Sequence, residues 1–415
     1  MNMSEQYPIT YWYGIRKEFL SRERLIEAKE AGFNIIECAY DTKTNLQVLA
    51  WCQELGLRAN VQDERMYACL TGDEGWEAKM DAIIADYADC PAVNRFFVRD
   101  EPVDDYFPTL GRVVKYLHAH DPKHGEYINL LPLVAVLPYE KYQAHIDGYL
   151  REVEPTILSY DHYNLIKREV PALTTLPEAR VSDENRERNG WQNVLYEAWD
   201  RESYYDNMEM IRDSAARAGI PWMTIILLVE HWMYRWPTEG EVRWEAFNAL
   251  TYGSTALSYF TYWTPGVGHS EPWSYHNGII LADGRRGEKY EIVKAINAEL
   301  QTLYRGLLEA RPGEAVAPGA LLSEAVFHVG PEADTLVKPF AGYGHVSNLG
   351  GGRFVVGFFA GDRFMVTSKD HDHPQTLTVT ADAPLLHLNK ATGAWEPFGG
   401  TLTFAPGDGE LFACV

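Results

Sequence analysis

The feature that most constrains the fold is an alternation running through roughly the first 310 residues: a short apolar stretch, then a stretch of helical period, eight times over. The apolar stretches are TYWYG (10–14), FNIIECAY (33–40), LRANVQD (57–63), VNRFFVRDE (93–101), EYINLLP (126–132), TILSYDHYN (156–164), PWMTIILLVEH (221–231) and ALSYFTYW (256–263). The helical stretches carry their own stop and start signals. Gly32 and Gly56 close the first two. Thr71 with Glu74, and Thr238 with Glu241, have the spacing of capping boxes. Several strands are apolar on both faces, as in a parallel sheet covered by helices. Eight strand–helix units in unbroken series predict a (β/α)8 barrel of the TIM type. One insertion, residues 165–200, separates the sixth strand from its helix, and long barrel loops of this kind build substrate faces.

Helical period ends at RPGEAVAPGA (311–320), which reads as a linker. Beyond it GRFVVGFFAG, RFMVTS, QTLTVTA, PLLHLN and GTLTFA alternate with Gly, Pro and Asp turns, the pattern of a small antiparallel β-sandwich. The expected organisation is therefore a barrel at 1–312 and a β-sandwich at 320–415.

A net charge of −22 makes nucleic acid and anionic membrane poor partners. The five cysteines show no C-x-x-C pair, so neither a zinc site nor a disulfide framework is indicated. MNMSEQYPITYWYG has neither a basic segment nor an apolar one of signal type, and no apolar run approaches the ~20 residues of a membrane span. A cytoplasmic location is the expectation; a homo-oligomer is left open.

In a barrel the C-terminal ends of the strands surround the site. Here they deliver Tyr13 and Arg16, Glu37 and Tyr40, Asp63 and Glu64, Asp100 and Glu101, Asn129, then Tyr160 to Tyr163, Glu230 and His231, and finally Tyr262 and Trp263. Carboxylates, a few His and Asn, and many aromatics suit a neutral polyol such as a carbohydrate substrate, whose hydroxyls need acceptors and whose C–H faces pack on rings. On the sixth strand Tyr160 and His162 share one face and Asp161 and Tyr163 the other; one pair points inward. KDHDHP (369–374) reads as a solvated turn rather than a metal site, and GGG (350–352) lacks the helix and Lys-Ser/Thr of a phosphate loop.

The chain resembles the retaining TIM-barrel glycoside hydrolases called clan A. Asp100-Glu101-Pro102 after the fourth strand matches their acid/base motif, usually Asn-Glu-Pro. Glu230 matches their nucleophile at the seventh strand, and Trp263 their aromatic at the eighth. The resemblance implies a retaining, exo-acting hydrolase of small oligosaccharides or glycosides, with Glu101 as acid/base and Glu230 as nucleophile at a separation of ~5–5.5 Å. Asp100, Trp263, Asp63, Asn129, Tyr160, His162, His231 and Tyr40 would bind the sugar, and no metal or organic cofactor is required. Asp100 departs from the usual Asn, and adjacent like charges raise one pKa. That departure also resembles substrate-assisted N-acetylhexosaminidases, in which the Asp orients the substrate acetamide and the Glu is the acid. A non-catalytic glycan-binding barrel is the third reading.

Overall fold

The computed structural model describes residues 6–72, 74–170, 195–265, 275–308 and 323–415, with backbone only at 168–170 and 195–199. The linker expected at 311–320 lies outside the described residues. The first six strands are β1 (Ile9–Tyr11), β2 (Ile35–Cys38), β3 (Arg58–Val61), β4 (Val93–Asp100), β5 (Gly125–Leu130) and β6 (Leu158–Asp161). A hairpin follows, β7 (Leu165–Val170) with β8 (Leu195–Asp200), and then β9 (Trp222–Leu227) and β10 (Ala256–Phe260). Eight strands form one parallel sheet in the order β1-β10-β9-β6-β5-β4-β3-β2. Asn34 closes it into a barrel: its backbone N–H donates to Ile9 O at 3.2 Å, and its side-chain Oδ1 accepts from Ile9 N at 2.8 Å.

The outer ring comprises α1 (Arg22–Glu30), α2 (Thr42–Leu55), α3 (Arg65–Thr71), α4 (Trp76–Tyr87), α5 (Phe107–His120), α6 (Tyr139–Val153), α7 (Tyr204–Ala218), α8 (Glu239–Thr251) and α9 (Lys289–Leu308). The Thr238–Glu241 capping box forms. The Thr71–Glu74 box does not, because Thr71 ends α3, its hydroxyl donates to Ala68 O at 3.0 Å, and Gly75 caps α4 instead. Trp12, Phe97, Tyr127, Ile157, Met223 and Ala256 plug the barrel below the strand ends. Trp12 Nε1 donates to Tyr127 Oη at 3.0 Å, so the plug also satisfies its own polar atoms.

The chain ends in two antiparallel sheets. One contains β11 (Ala325–Val329), β13 (Phe354–Phe359), β14 (Arg363–Ser368), β16 (Leu385–Leu388), β17 (Trp395–Pro397) and β19 (Gly409–Cys414). The other contains β12 (Val346–Gly350), β15 (Gln375–Ala381) and β18 (Thr401–Phe404). Every residue of β13 and β14 is buried, since the larger sheet is covered by the smaller one and by α8. For the same reason α8 is buried all round rather than on one stripe. Among the described residues no helix is long and apolar enough to cross a membrane.

Candidate functional site

At the C-terminal ends of the barrel strands lies a cavity of about 830 Å³. Its floor is Trp12 of the plug and Ile225 of β9. Asp100 and Glu101, from the end of β4, and Asp161, from the end of β6, line one part of it. Asn129 of β5 ties the two strands together. Its amide donates to Asp161 Oδ1 at 2.7 Å and to Asp100 Oδ1 at 3.3 Å, while its own oxygen accepts from Ser159 Oγ at 3.0 Å. Asn129 thus lines the cavity with its hydrogen bonds directed to protein groups, so it positions the carboxylates rather than reaching for hydroxyls.

The carboxyls hold their protons unusually tightly. Asp100 and Glu101 are accessible to solvent but sit in a concave wall, and this partial desolvation raises Asp100 to about 6. The same effect, with Asp100 beside it, raises Glu101 to about 7. Asp161 is 8% exposed; burial, then Glu101 and then Asp100, push it well above the ordinary carboxylate range. Glu37 of β2, recessed nearby, is raised by burial to about 8. Like charges in one low-dielectric pocket cannot all ionise together, so the cluster shares protons and titrates as a unit.

The facing wall is aromatic: Tyr13, Tyr163, Tyr234, Phe260 and Tyr275, with His231 stacked on Tyr275 at 5.1 Å. Burial pushes His231 down to about 3, so it presents a neutral imidazole. The backbone is strained around the same cavity. Of seven non-glycine residues with positive φ among the described residues, Tyr13, Glu101, Ser203 and Trp232 line it. Glu101, at φ 43°, is held there by its N–H donating to Asn129 O at 2.8 Å.

Other residues expected at the site lie elsewhere. Glu230 falls beyond β9, is fully buried, and pairs with Lys167 Nζ at 3.3 Å; it does not line the cavity, so Glu101 and Glu230 share no wall there. Asp63 accepts from Arg65 Nη2 at 2.8 Å and from Tyr87 Oη at 2.9 Å, and anchors the start of α3. The Tyr40 hydroxyl donates to Ile15 O. Tyr160 and His162 take the outer face of β6, Tyr160 against Trp222 and His162 bonded to Asn207 Oδ1 at 2.8 Å. Trp263 is 1% exposed, packed on Phe19 under Arg24; Phe260 is the ring that β10 presents. In the KDHDHP turn, ligand atoms of His371 and Asp372 lie within 4.8 Å of each other and of Glu241, but Arg235 is 2.8 Å from Glu241 and supplies positive charge there.

Sequence reasoning did not single out Phe260, Tyr234, Tyr275, Arg201 or the aliphatic residues after β5. The period of β10 carried a signal for Phe260, which lies on the strand itself, whereas loop residues have no period to read.

No protein-family model and no curated protein matches the chain. Solved structures do. A protein described as a glycoside hydrolase aligns over 98% of this chain and 91% of its own, at 11% identity and a TM-score of 0.57. A family 39 glycoside hydrolase from the gut symbiont Bacteroides cellulosilyticus WH2 aligns over 99% and 82%, at 10% identity and a TM-score of 0.51. A β-galactosidase from the psychrophilic Marinomonas ef1 gives 0.50 at 11% identity; the alignment covers 72% of this chain and 60% of the β-galactosidase. At these identities the likeness shows the fold: this chain shares a TIM-barrel architecture with solved glycoside hydrolases.

Proposed function

We propose that the protein is a glycoside hydrolase acting on small glycosides, with Glu101 as its acid. The observation that carries this reading is the convergence of carboxyls from β4 and β6 on one cavity whose opposite wall is aromatic. Cleaving a glycosidic bond needs a carboxyl that still holds a proton and a carboxylate that has lost one. The cluster supplies both near neutral pH. Glu101 and Asp161 retain a proton between them, and Glu101, the more accessible, delivers it to the leaving oxygen. Asp100 ionises first and faces the positive charge that develops at the anomeric carbon, where water adds, its oxygen forming the new C–O bond and its proton returning to the carboxyl cluster. Asn129 positions Asp100 and Asp161, and the rings of Tyr13, Phe260 and Tyr275 pack on the sugar's C–H face. A volume of about 830 Å³ is that of a small-molecule site, which supports exo attack on a terminal sugar.

The buried Glu230–Lys167 pair favours a second reading over attack by Glu230. In it the substrate's own 2-acetamido group attacks the anomeric carbon, Asp100 orients that group, and Glu101 remains the acid. The two readings separate on a panel of aryl glycosides with and without a 2-acetamido group, with product anomers followed by NMR. Strict dependence on the acetamide supports the second; turnover without it supports the first. No turnover of any glycoside, with the protein folded, removes both.

A further inference from the structure

The segment after β5, LPLVAVLP (131–138), has no polar side chain. Its backbone is built rather than loose. Leu133 N donates to Asn207 Oδ1 at 2.8 Å, and Ala135 N and Val136 N close a tight turn on Pro132 O and Leu133 O at 2.9 and 3.1 Å. Leu133 and Val136 enter the core. Leu131, Val134, Ala135 and Leu137 line the cavity instead, and Leu137 is 55% exposed. A sugar placed here would leave its hydroxyls against aliphatic carbon without partners, an unfavourable exchange. The aromatic wall, with the ring hydroxyls of Tyr13, Tyr163 and Tyr275, is the sugar-compatible side.

Position in the barrel gives the aliphatic wall an occupant. The acid in a glycosidase stands on the leaving-group side of the scissile bond, because it protonates the leaving oxygen. Glu101 ends β4, β4 pairs with β5, and the Glu101 N–H is bonded to Asn129 on β5. β4 also pairs with β3, but of the described residues that follow β3 none lines the cavity, whereas those that follow β5 do, so the leaving group of a substrate that Glu101 protonates departs along the segment after β5. From this the geometry points to an apolar aglycone subsite formed by Leu131, Val134, Ala135 and Leu137, so that the substrates are glycosides of aryl or alkyl alcohols rather than of a second sugar. This rests on the reading of Glu101 as the acid, although the subsite also has a readout independent of it.

The test has two arms. In the first, kcat/KM is measured for n-octyl, phenyl and methyl glycosides across glucose, galactose, mannose and N-acetylglucosamine. The apolar aglycones are expected to exceed methyl at least 10-fold, chiefly through KM. Leu137→Asn, a change at an exposed side chain, should remove most of that advantage. In the second, binding of free 4-methylumbelliferone is followed by saturation-transfer NMR, with signal expected for the wild type and at least a fivefold reduction for Leu137→Asn combined with Val134→Asn. Binding of the free aglycone without cleavage of any glycoside upholds the subsite and removes the hydrolase reading. Cleavage with equal KM for methyl and octyl glycosides, or aglycone binding unchanged when Leu137→Asn is combined with Val134→Asn, overturns the subsite.

Discussion

Glu101 concentrates what is unusual at the scale of single residues. It sits in a left-handed backbone conformation, directly after Asp100 and before Pro102, and its carboxyl is raised to about 7 by burial and then by Asp100. As the proposed acid it should be replaceable only at large loss: Glu101→Gln is expected to lower kcat roughly 100- to 10,000-fold on glycosides with poor leaving groups, and less on activated aryl glycosides, where protonation matters less. The rate should fall as pH rises through about 7, as Glu101 loses its proton. Desolvation is the main cause of that high value and Asp100 the second, so Asp100→Asn should move the falling limb to lower pH in a kcat/KM profile. Stability has the same sign. Glu37, Asp100 and Glu101 bind protons more tightly folded than unfolded, so their contribution is complete below about pH 4 and is lost as pH rises through about 6 to 8. The Tm of the wild type should therefore fall more steeply over that window than the Tm of Asp100→Asn. Glu230→Gln addresses a different question. It disturbs a buried ion pair, at a cost on the order of 3 kcal/mol, and should show as a lower denaturant midpoint. Full turnover per folded molecule in Glu230→Gln would fit its position outside the cavity; complete loss would return it to the chemistry.

At the scale of elements, parity decides which side chains reach the site. Successive side chains of a strand face opposite sides, so on β6 the choice of Asp161 and Tyr163 over Tyr160 and His162 is a single binary outcome. The chain itself shows both faces as plausible, because each combines an aromatic with an ionisable group. The packing of α6 and α7 settles it: His162 Nδ1 donates to Asn207 Oδ1 on the outer face. A similar displacement separates Phe260 from Trp263. Helix contacts depend equally on single residues. Gly111 of α5 approaches α6 so closely that a Cβ would stand 2.1 Å from Glu152 O, so Gly111→Val should force the two helices apart and cost a few kcal/mol by thermal melting. That strain lies on the outer ring beside β4 and β5, and its effect on activity tests how rigidly the ring holds their ends.

The whole molecule behaves as one packing unit. The β-sandwich lies on α8 through Gly357, where a Cβ would meet Thr251 O at 1.9 Å, and through hydrogen bonds from Thr367 to Thr251 and from His328 to Tyr252. A buried charge network adds to this: Arg243 reaches Glu299 at 2.6 Å and Asp408 at 2.8 Å, and Lys390 reaches the same two carboxylates. A single cooperative unfolding transition is expected, and Gly357→Val should split it into two by scanning calorimetry; an unchanged single transition would show that the contact tolerates the methyl groups. The sequence by itself determined the repeat of strand and helix, the change to period-two strands, and the placing of carboxylates and aromatics at strand ends, because periodicity is local and each strand end is marked by its own turn chemistry. Only the tertiary structure decided which of those carboxylates share a cavity. Asp161 joins Asp100 and Glu101 through Asn129, while Glu230 is drawn into a pair with Lys167 from an inserted hairpin. The physical reason is that burial and pairing are settled by residues far away in the chain, and a charge goes where its desolvation is best compensated.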